Sequence, residues 1–461
     1  MKRLNLILIG LIISSCSTSK LPTLDTPTQF NSATQLNQNI ANLPYLAWWQ
    51  QLDDPQLNHL IESGLTQNND IQIAYANLEQ ARGQLRQVQL SWIPFINLYA
   101  GFTQNPAFGN IGTFYGMWPQ YTLNLMQLPT LQKQAEYNLA LNQAKISALR
   151  LTLIGQISSS YLTYLAQQQQ LVLLNNLQKD LVLLTQIQRQ ALAGGISSAQ
   201  SVDLLMTQEQ QIVAQQQIVK NNLVASQNAL RYLLNANPGK INAGSNFAQL
   251  NESMIKPGNL PATVLANRPD LLIAEMQVKI ANEGINVAIS NLFPAIQLDR
   301  FMAMQSTDGT LANPTTPLAM NEAYLNWQIT PSVFGQIEAN NGSYKAASYN
   351  YIKIVRQILR DVDNDFAANN YLALKLSAER SSYQNAKHEF NLQQGLYNDG
   401  IIPYSQLINS RLLLDNLALS INQSKLQYLL SQVLLYQDLA GGYSYKSSTD
   451  AKNVANANKV N

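Results

Sequence analysis

Cysteine, histidine and charge are all scarce in this 461-residue chain. It has one cysteine and two histidines, too few for a His/Cys metal cluster or an intrachain disulfide. The histidines, His59 and His388, have no partner ligands at metal spacing and read as surface residues. With no Ser/His/Asp or Cys/His set to assemble, an enzyme is not expected. Only 12% of residues are charged, about half the usual share. The net charge of +2 supplies no basic surface for nucleic acid. Gly194-Gly195 is followed by no Lys-Ser/Thr and is therefore not a phosphate loop. What is abundant is apolar and neutral polar: 46% hydrophobic residues, 49 asparagines and 50 glutamines. Such a chain suits extended packing surfaces, with no need of a cofactor.

The single cysteine closes a distinctive leader. Lys2 and Arg3 precede an apolar run, Leu4 to Ile13, too short to cross a bilayer as a helix. Ile13-Ser14-Ser15-Cys16 then resembles a bacterial lipobox. Residues 1–15 thus read as a lipoprotein signal peptide, and Cys16 as the acylated first residue of the mature chain. Several acyl chains at one site give a stable anchor where one gives a reversible hold. Ser17, rather than Asp, follows the cysteine, which in such lipoproteins resembles sorting to the outer membrane.

Residues 16–55 are polar and Pro-containing, an extended leader. Asp54-Pro55 opens a helix predicted over 56–90, with apolar residues three and four apart, and Pro94 ends it. Ile96, Leu98, Ala100 and Phe102 then alternate with Asn97, Tyr99, Gly101 and Thr103, predicting a strand at about 95–104 with two different faces. After a Gly/Asn/Pro loop a second strand is predicted at 114–126. Each is long enough to cross a bilayer as a tilted strand. Residues 131–193 contain no proline and predict a helix of about 95 Å. It breaks at Gly194-Gly195, and a return helix follows over about 198–234.

The same order recurs. A shift of 200 residues aligns Asp70-Ile71 with Asp270-Leu271, Ala74 with Ala274 and Pro94 with Pro294; a shift of 205 aligns Gly195-Ile196 with Gly400-Ile401. The first repeat is 56–238. The second, 239–443, carries a helix, strands at about 295–304 and 321–330, and helices at 344–394 and 403–439, before a polar tail at 444–461. Four amphipathic strands cannot close a barrel alone, and open edges are not tolerated in hydrocarbon. Three chains would supply twelve strands, an even number compatible with closure.

The chain resembles the outer-membrane channel family of TolC and OprM, especially its lipoprotein branch. The matching pieces are the lipobox, Trp49-Gln50-x-x-Asp53-Asp54-Pro55, the duplicated helices before Pro94 and Pro294, the tips Gly195-Ile196 and Gly400-Ile401, and the closing Leu439-Ala440-Gly441-Gly442-Tyr443. The resemblance implies a mixed α/β membrane protein: a homotrimer whose twelve-stranded β-barrel in the outer membrane of a Gram-negative bacterium continues as a periplasmic α-helical barrel. It also implies a passive efflux exit duct opened by a periplasmic adaptor protein and an inner-membrane pump, with the resistance–nodulation–division (RND) type favoured. Type I protein secretion is the alternative with the same architecture; a lipid-anchored coiled-coil scaffold is a third.

In this family the segment after the second tip carries the constriction. Here it includes Tyr397, Asp399, Ile402, Gln406 and Asn409, with Asp203 the comparable carboxylate of the first repeat. By that alignment Ile402 replaces an Arg, and Gln406 and Asn409 replace two Asp. The charged lock is absent; hydrogen bonds among Gln406, Asn409 and Tyr397, or an apolar constriction at Ile402, would have to replace it. Gly194, Gly195 and Gly400 are the expected tip turns, and Asp203 and Asp399 could instead cap or solvate helix ends. Tyr99, Tyr115, Trp118, Tyr324 and Trp327 are candidates for an interfacial girdle, or for packing. Asp361, Asp363 and Asp365 place their outer two members on one helix face, and read as solvated or in contact within the tube.

Overall fold

The computed structural model describes residues 21–22, 30, 32, 43–103, 112–252, 268–306, 316–328 and 330–444. Cys16 and the tail beyond 444 lie outside the described residues. After short 3-10 turns at Leu43–Tyr45 and Trp48–Leu52, the elements are α1 (Pro55–Gln67), α2 (Asn69–Leu90), β1 (Phe95–Thr103), β2 (Gly112–Leu123), α3 (Gln127–Ala193) and α4 (Ala199–Leu233). Beyond a further turn at Phe247–Gln249 come α5 (Pro269–Ser290), β3 (Ala295–Ser306), β4 (Thr316–Asn326), α6 (Ser332–Asn398) and α7 (Tyr404–Asp438). Helices α3 and α6 both have 67 residues, and α4 and α7 both have 35.

The boundaries depart from the sequence expectation where side chains or tertiary context override periodicity. The helix expected over 56–90 is two helices, because Asn68 is extended (φ −63°, ψ 129°) and its Oδ1 accepts from the amides of Asp70 and Ile71. Pro129 lies inside the first turn of α3, where its missing N–H deprives no carbonyl of a partner. Gly335 and Gly342 do not delay α6, which begins at Ser332; a Cβ on either would meet open space. Strand β4 lies earlier than expected and stops before Trp327, whose indole N–H instead donates to the Leu292 carbonyl at 3.0 Å.

The chain forms two compact units, each drawing corresponding parts from both halves. One is built on Ala74–Lys145 and Asp270–Val355; the other includes Ile146–Pro269 and Arg356–Asn461 with the preceding chain up to Ile73. In the first, all neighbouring strands pair antiparallel in the order β1-β2-β3-β4. Gly116 makes the β2–β3 pairing possible: a Cβ there would lie 2.4 Å from the Met302 carbonyl oxygen and 2.6 Å from Ala303 Cα. The helices of this unit are joined by amides rather than charges. Asn138 donates to Gln84 at 3.2 Å, Gln127 to Asn291 at 3.1 Å, and Asn340 to the Gly284 carbonyl at 3.0 Å.

The second unit holds an apolar core of Trp48, Trp49, Leu57, Ile61, Ile154, Ile157, Leu165, Val433 and Tyr436, among others. Trp48 stacks on Tyr436 with ring centroids 5.3 Å apart and packs edge-on against Trp49. The end of the chain closes over the start: the Gly442 amide donates to Leu43 and that of Ser444 to Pro44. Asp54 organises the entrance to α1. Its Oδ1 accepts from the amides of Gln56 and Leu57 at 2.8 and 3.1 Å, and its Oδ2 accepts from the Tyr161 hydroxyl at 2.8 Å. That hydroxyl accepts in turn from the Gly244 amide at 2.9 Å. Both Asp54 and Tyr161 are fully buried, and burial raises the Tyr161 phenol well above its usual range. Part of the leader is docked too: Phe30 packs against Phe366, and Ser32 donates through its amide and hydroxyl to Asp363.

Candidate functional site

The sheet has two chemically different faces, fixed by its register. Residues directly opposite one another share a face, and successive residues alternate. Leu98 opposes Met117, Met117 opposes Met302, and Met302 opposes Ala319. The same face carries Ile96, Phe102, Tyr121, Leu298 and Leu325, and Leu98 and Leu325 are 79% and 68% exposed. A cross-strand pair in mid-sheet, Arg300 and Asn321, and Thr113 toward the start of β2 break its apolar character among the side chains described there. The opposite, more polar face holds Asn97, Gln120, Gln297, Asp299 and Glu322 beside Phe95, Phe114, Phe301 and Met320; Asn97 donates to Gln120 at 2.9 Å. Each outer strand, β1 and β4, has one neighbour and leaves one edge open.

This alternation divides the candidate girdle residues between the faces. Tyr99, Trp118 and Tyr324 lie on the polar face, where Tyr99 packs near Trp118 at 6.0 Å and Trp118 meets Phe301 edge-on at 5.7 Å. Tyr115 lies on the apolar face, and Trp327 is beyond the strand. The five aromatics therefore do not form one outward band.

In the helical unit the two tips are the same turn made twice. Gly195 and Gly400 each have φ +72°, a left-handed conformation that glycine adopts without Cβ strain. Ile196 N–H returns to the Ala191 carbonyl at 2.8 Å, and Ile401 N–H to that of Leu396 at 2.9 Å. Gly194 remains the last hydrogen-bonded residue before the turn, its amide donating to Gln190. Ser198, not Asp203, caps α4 by accepting from the Ser201 amide. Asp203 and Asp399 are exposed, as are Gln406 and Asn409, while Ile402 is half-buried. Among the described residues no hydrogen bond within the chain joins Gln406, Asn409 and Tyr397; the Tyr397 ring instead meets that of Tyr404 at 4.9 Å.

Away from the tips, neutral amides again dominate. A cleft of about 370 Å³ between α3, α4 and α7 is lined by Gln167, Gln170, Gln215, Asn222, Asn422 and Gln427, with apolar neighbours. Three buried or half-buried charged groups are not revealed by composition or periodicity. Lys425, its side chain 5% exposed, pairs with Glu252 at 2.7 Å, and Arg380 meets both Glu252 oxygens at 2.6 Å. Burial pushes Glu252 upward, but its hydrogen bonds from Arg380 and Lys425 prevail and hold it below its ordinary value. Arg411 of α7 places its Nε 2.8 Å from Oδ2 of Asp180 in α3, whose side chain is 7% exposed. Burial, then the Asp180 contact, raises Asp415 to about 7. At the far end of α7, burial, then the neighbouring Asp438 and Asp361, raises Asp365 to about 8 against the pull of Arg268. Arg268 itself hydrogen-bonds the Asp438 carbonyl. Asp365 and Asp363 of the acidic run thus have contacts within the helical unit.

No group of three or more His, Cys, Asp or Glu placed to hold a metal occurs among the described residues. No described helix is long and apolar enough to cross a membrane. His59 and His388 are exposed.

The sequence profile of the family described as outer membrane efflux protein matches residues 260–441, the second-repeat helices and strands just described. Over this stretch the chain is similar to that family. Among similar proteins, the solvent efflux pump outer membrane protein SrpC of Pseudomonas putida is 27% identical over 415 residues, covering 85% of this chain and 86% of SrpC. The probable outer membrane lipoprotein SilC of Salmonella typhimurium is 22% identical over 448 residues, covering 92% and 94%. The open state of the Neisseria gonorrhoeae MtrE outer membrane channel superposes with a TM-score of 0.77 at 19% identity, covering 92% of this chain and 99% of MtrE. The chain therefore shares the fold of that channel over most of its length.

Proposed function

We propose that the protein is the outer-membrane exit duct of a tripartite efflux system, a passive pore to which this chain contributes four of twelve strands. The observation that carries the reading is the sheet: one apolar face, one polar face, and an open edge on each side. In hydrocarbon such edges must be paired, and a closed ring of three copies pairs β1 of one with β4 of the next. The apolar face then meets lipid and the polar face meets water. Acylation of Cys16 anchors the mature chain, and SilC, a relative of similar length, is named a lipoprotein.

Substrate passes by diffusion, with the work done by an inner-membrane pump acting through a periplasmic adaptor; the solvent efflux pump to which SrpC belongs favours an efflux partner over a secretion one. The tips shut the pore without a ring of opposed charges. Ile402 supplies an apolar constriction and Gln406 and Asn409 an uncharged polar collar formed between copies. A cysteine at Gly101 in β1, combined in turn with cysteines along 319–325 in β4, tests the closure. Oxidation should yield a covalent trimer at one register; only monomers at every register would refute it. Co-purification with a pump of the RND type rather than an ATP-driven exporter decides between efflux and type I secretion.

A further inference from the structure

Residues 247–252, in the connection from α4 to α5, are fastened to both helices of the second hairpin. Lys425 of α7, its side chain 5% exposed, spends its three N–H donors on this segment. Its Nζ lies 2.7 Å from Glu252 Oε1 and donates to the carbonyls of Ala248 and Leu250 at 3.1 and 3.2 Å. Gln432, further along α7, donates to the Glu252 carbonyl at 3.4 Å. From α6, Arg380 Nη2 lies 2.6 Å from both oxygens of the same carboxylate. The segment is also tied to the Trp48–Leu52 turn, where Asn251 donates to the Gln51 carbonyl at 2.8 Å.

Glu252 belongs to neither helix, yet it joins them. Lys425 and Arg380 share its Oε1, so their nitrogens lie at most about 5 Å apart, within range of strong repulsion. The carboxylate between them cancels one of two like charges and bonds both helices. Without it, α6 and α7 face each other with two cations. Arg380 lies eighteen residues before the end of α6 and Lys425 twenty-one residues past the start of α7, about 30 Å from the turn that joins them. Ser420 donates to Glu379 at 3.1 Å beside this site. Nearer the tip than Ser420, no side-chain hydrogen bond or ion pair joins α6 to α7 among the described residues; Tyr397 and Tyr404 meet there as rings.

We propose that segment 247–252 is a carboxylate fastener of the second hairpin. With Glu252 inserted it joins α6 to α7; with Glu252 withdrawn, Lys425 and Arg380 push the two helices apart. The inference goes beyond the channel reading and does not rest on it. Because Asn251 ties the segment to the Trp48–Leu52 turn, a shift of that turn reaches the hairpin through Glu252.

Amide hydrogen exchange across residues 381–398 and 404–419 of the full-length chain reads the joint. Glu252→Gln keeps the shape and removes the charge, and exchange there should quicken by about tenfold or more, allowing for solvent screening at the half-exposed Arg380. Arg380→Gln separates repulsion from general weakening. In the wild-type background it removes a bond and should quicken exchange by about threefold; in Glu252→Gln it removes a repulsion and should slow exchange by a similar factor. If Glu252→Gln alone does not fold, recovery of folding in the double variant is the same reversal. Arg380→Gln that quickens exchange in both backgrounds, or that fails to restore folding, would overturn the proposal. Equal quickening by Glu252→Gln in residues 199–215 of α4 would overturn it as well. A reversal of sign in a chain that forms no pores would uphold the fastener and defeat only the channel reading.

Discussion

Asp54 is the residue whose removal should most sharply expose how the helical unit is assembled. Its carboxylate caps α1 through two amides and accepts from Tyr161 of α3, whose hydroxyl also takes the Gly244 amide. In Asp54→Ala the lost N-cap costs about 1 kcal/mol. The Tyr161 hydroxyl, fully buried, loses its acceptor, which adds about 1–3 kcal/mol. The sum is about 2–4 kcal/mol, a large part of a typical domain's stability. Asp54→Asn retains a capping oxygen but turns a donor toward a donor, and should cost about half as much. Neighbouring Asp53 is exposed and left-handed at φ 54°, a conformation Asn tolerates; Asp53→Asn should fall within about 0.5 kcal/mol of wild type. Urea unfolding followed by tryptophan fluorescence is the assay, because Trp48 and Trp49 belong to the same core. Equal midpoints for Asp54→Ala and Asp53→Asn would refute the reasoning.

Three further outcomes follow from single contacts. Gly116→Val should prevent β2–β3 pairing, because even its Cβ would collide with the Met302–Ala303 backbone; the variant should lose heat-resistant migration in gels, and unchanged migration would contradict the register. Glu252→Ala strands the buried Lys425 and should destabilise by about 3–5 kcal/mol. Because Glu252 is held below its usual value of 4.5, its contribution is present above that pH and is lost as pH falls through the lowered value, which an acid titration of stability would show. Arg300 interrupts the apolar face in mid-strand, a position where Arg costs about 2–4 kcal/mol against lipid; Arg300→Leu should raise stability in bilayers, and a loss would mean that this face does not meet hydrocarbon.

The fold was legible where one physical signal dominates. Period-two alternation locates β1, and proline-free runs with three-and-four spacing locate the long helices. The left-handed glycines mark both tips. The boundaries that shifted are those decided by something other than period: the Asn68 side chain splitting one helix, and α6 absorbing Gly335 and Gly342 on an open face. Aromatic identity says nothing about which side of the pleat Tyr99 or Trp118 occupies, so their faces were not legible. The buried acids were hidden because Asp180 follows Lys179 in a mixed stretch of α3 and reads as solvated, and Asp415 is more than two hundred residues away. An Arg411-x-x-x-Asp415 spacing was the only local hint, and it reads equally well as a surface ion pair.

The scarcity of charge in the composition now has a location. Asn and Gln join helices and line the cleft among α3, α4 and α7, where few charges occur.

Single-channel recording of the purified full-length protein in planar bilayers tests the central claim most directly. The account predicts discrete, long-lived conductance steps carried by trimers, small while the tips are shut and larger once the tips are loosened by substitution at Ile402. Membranes that stay silent with wild type and Ile402→Gly alike, despite confirmed insertion, would contradict it.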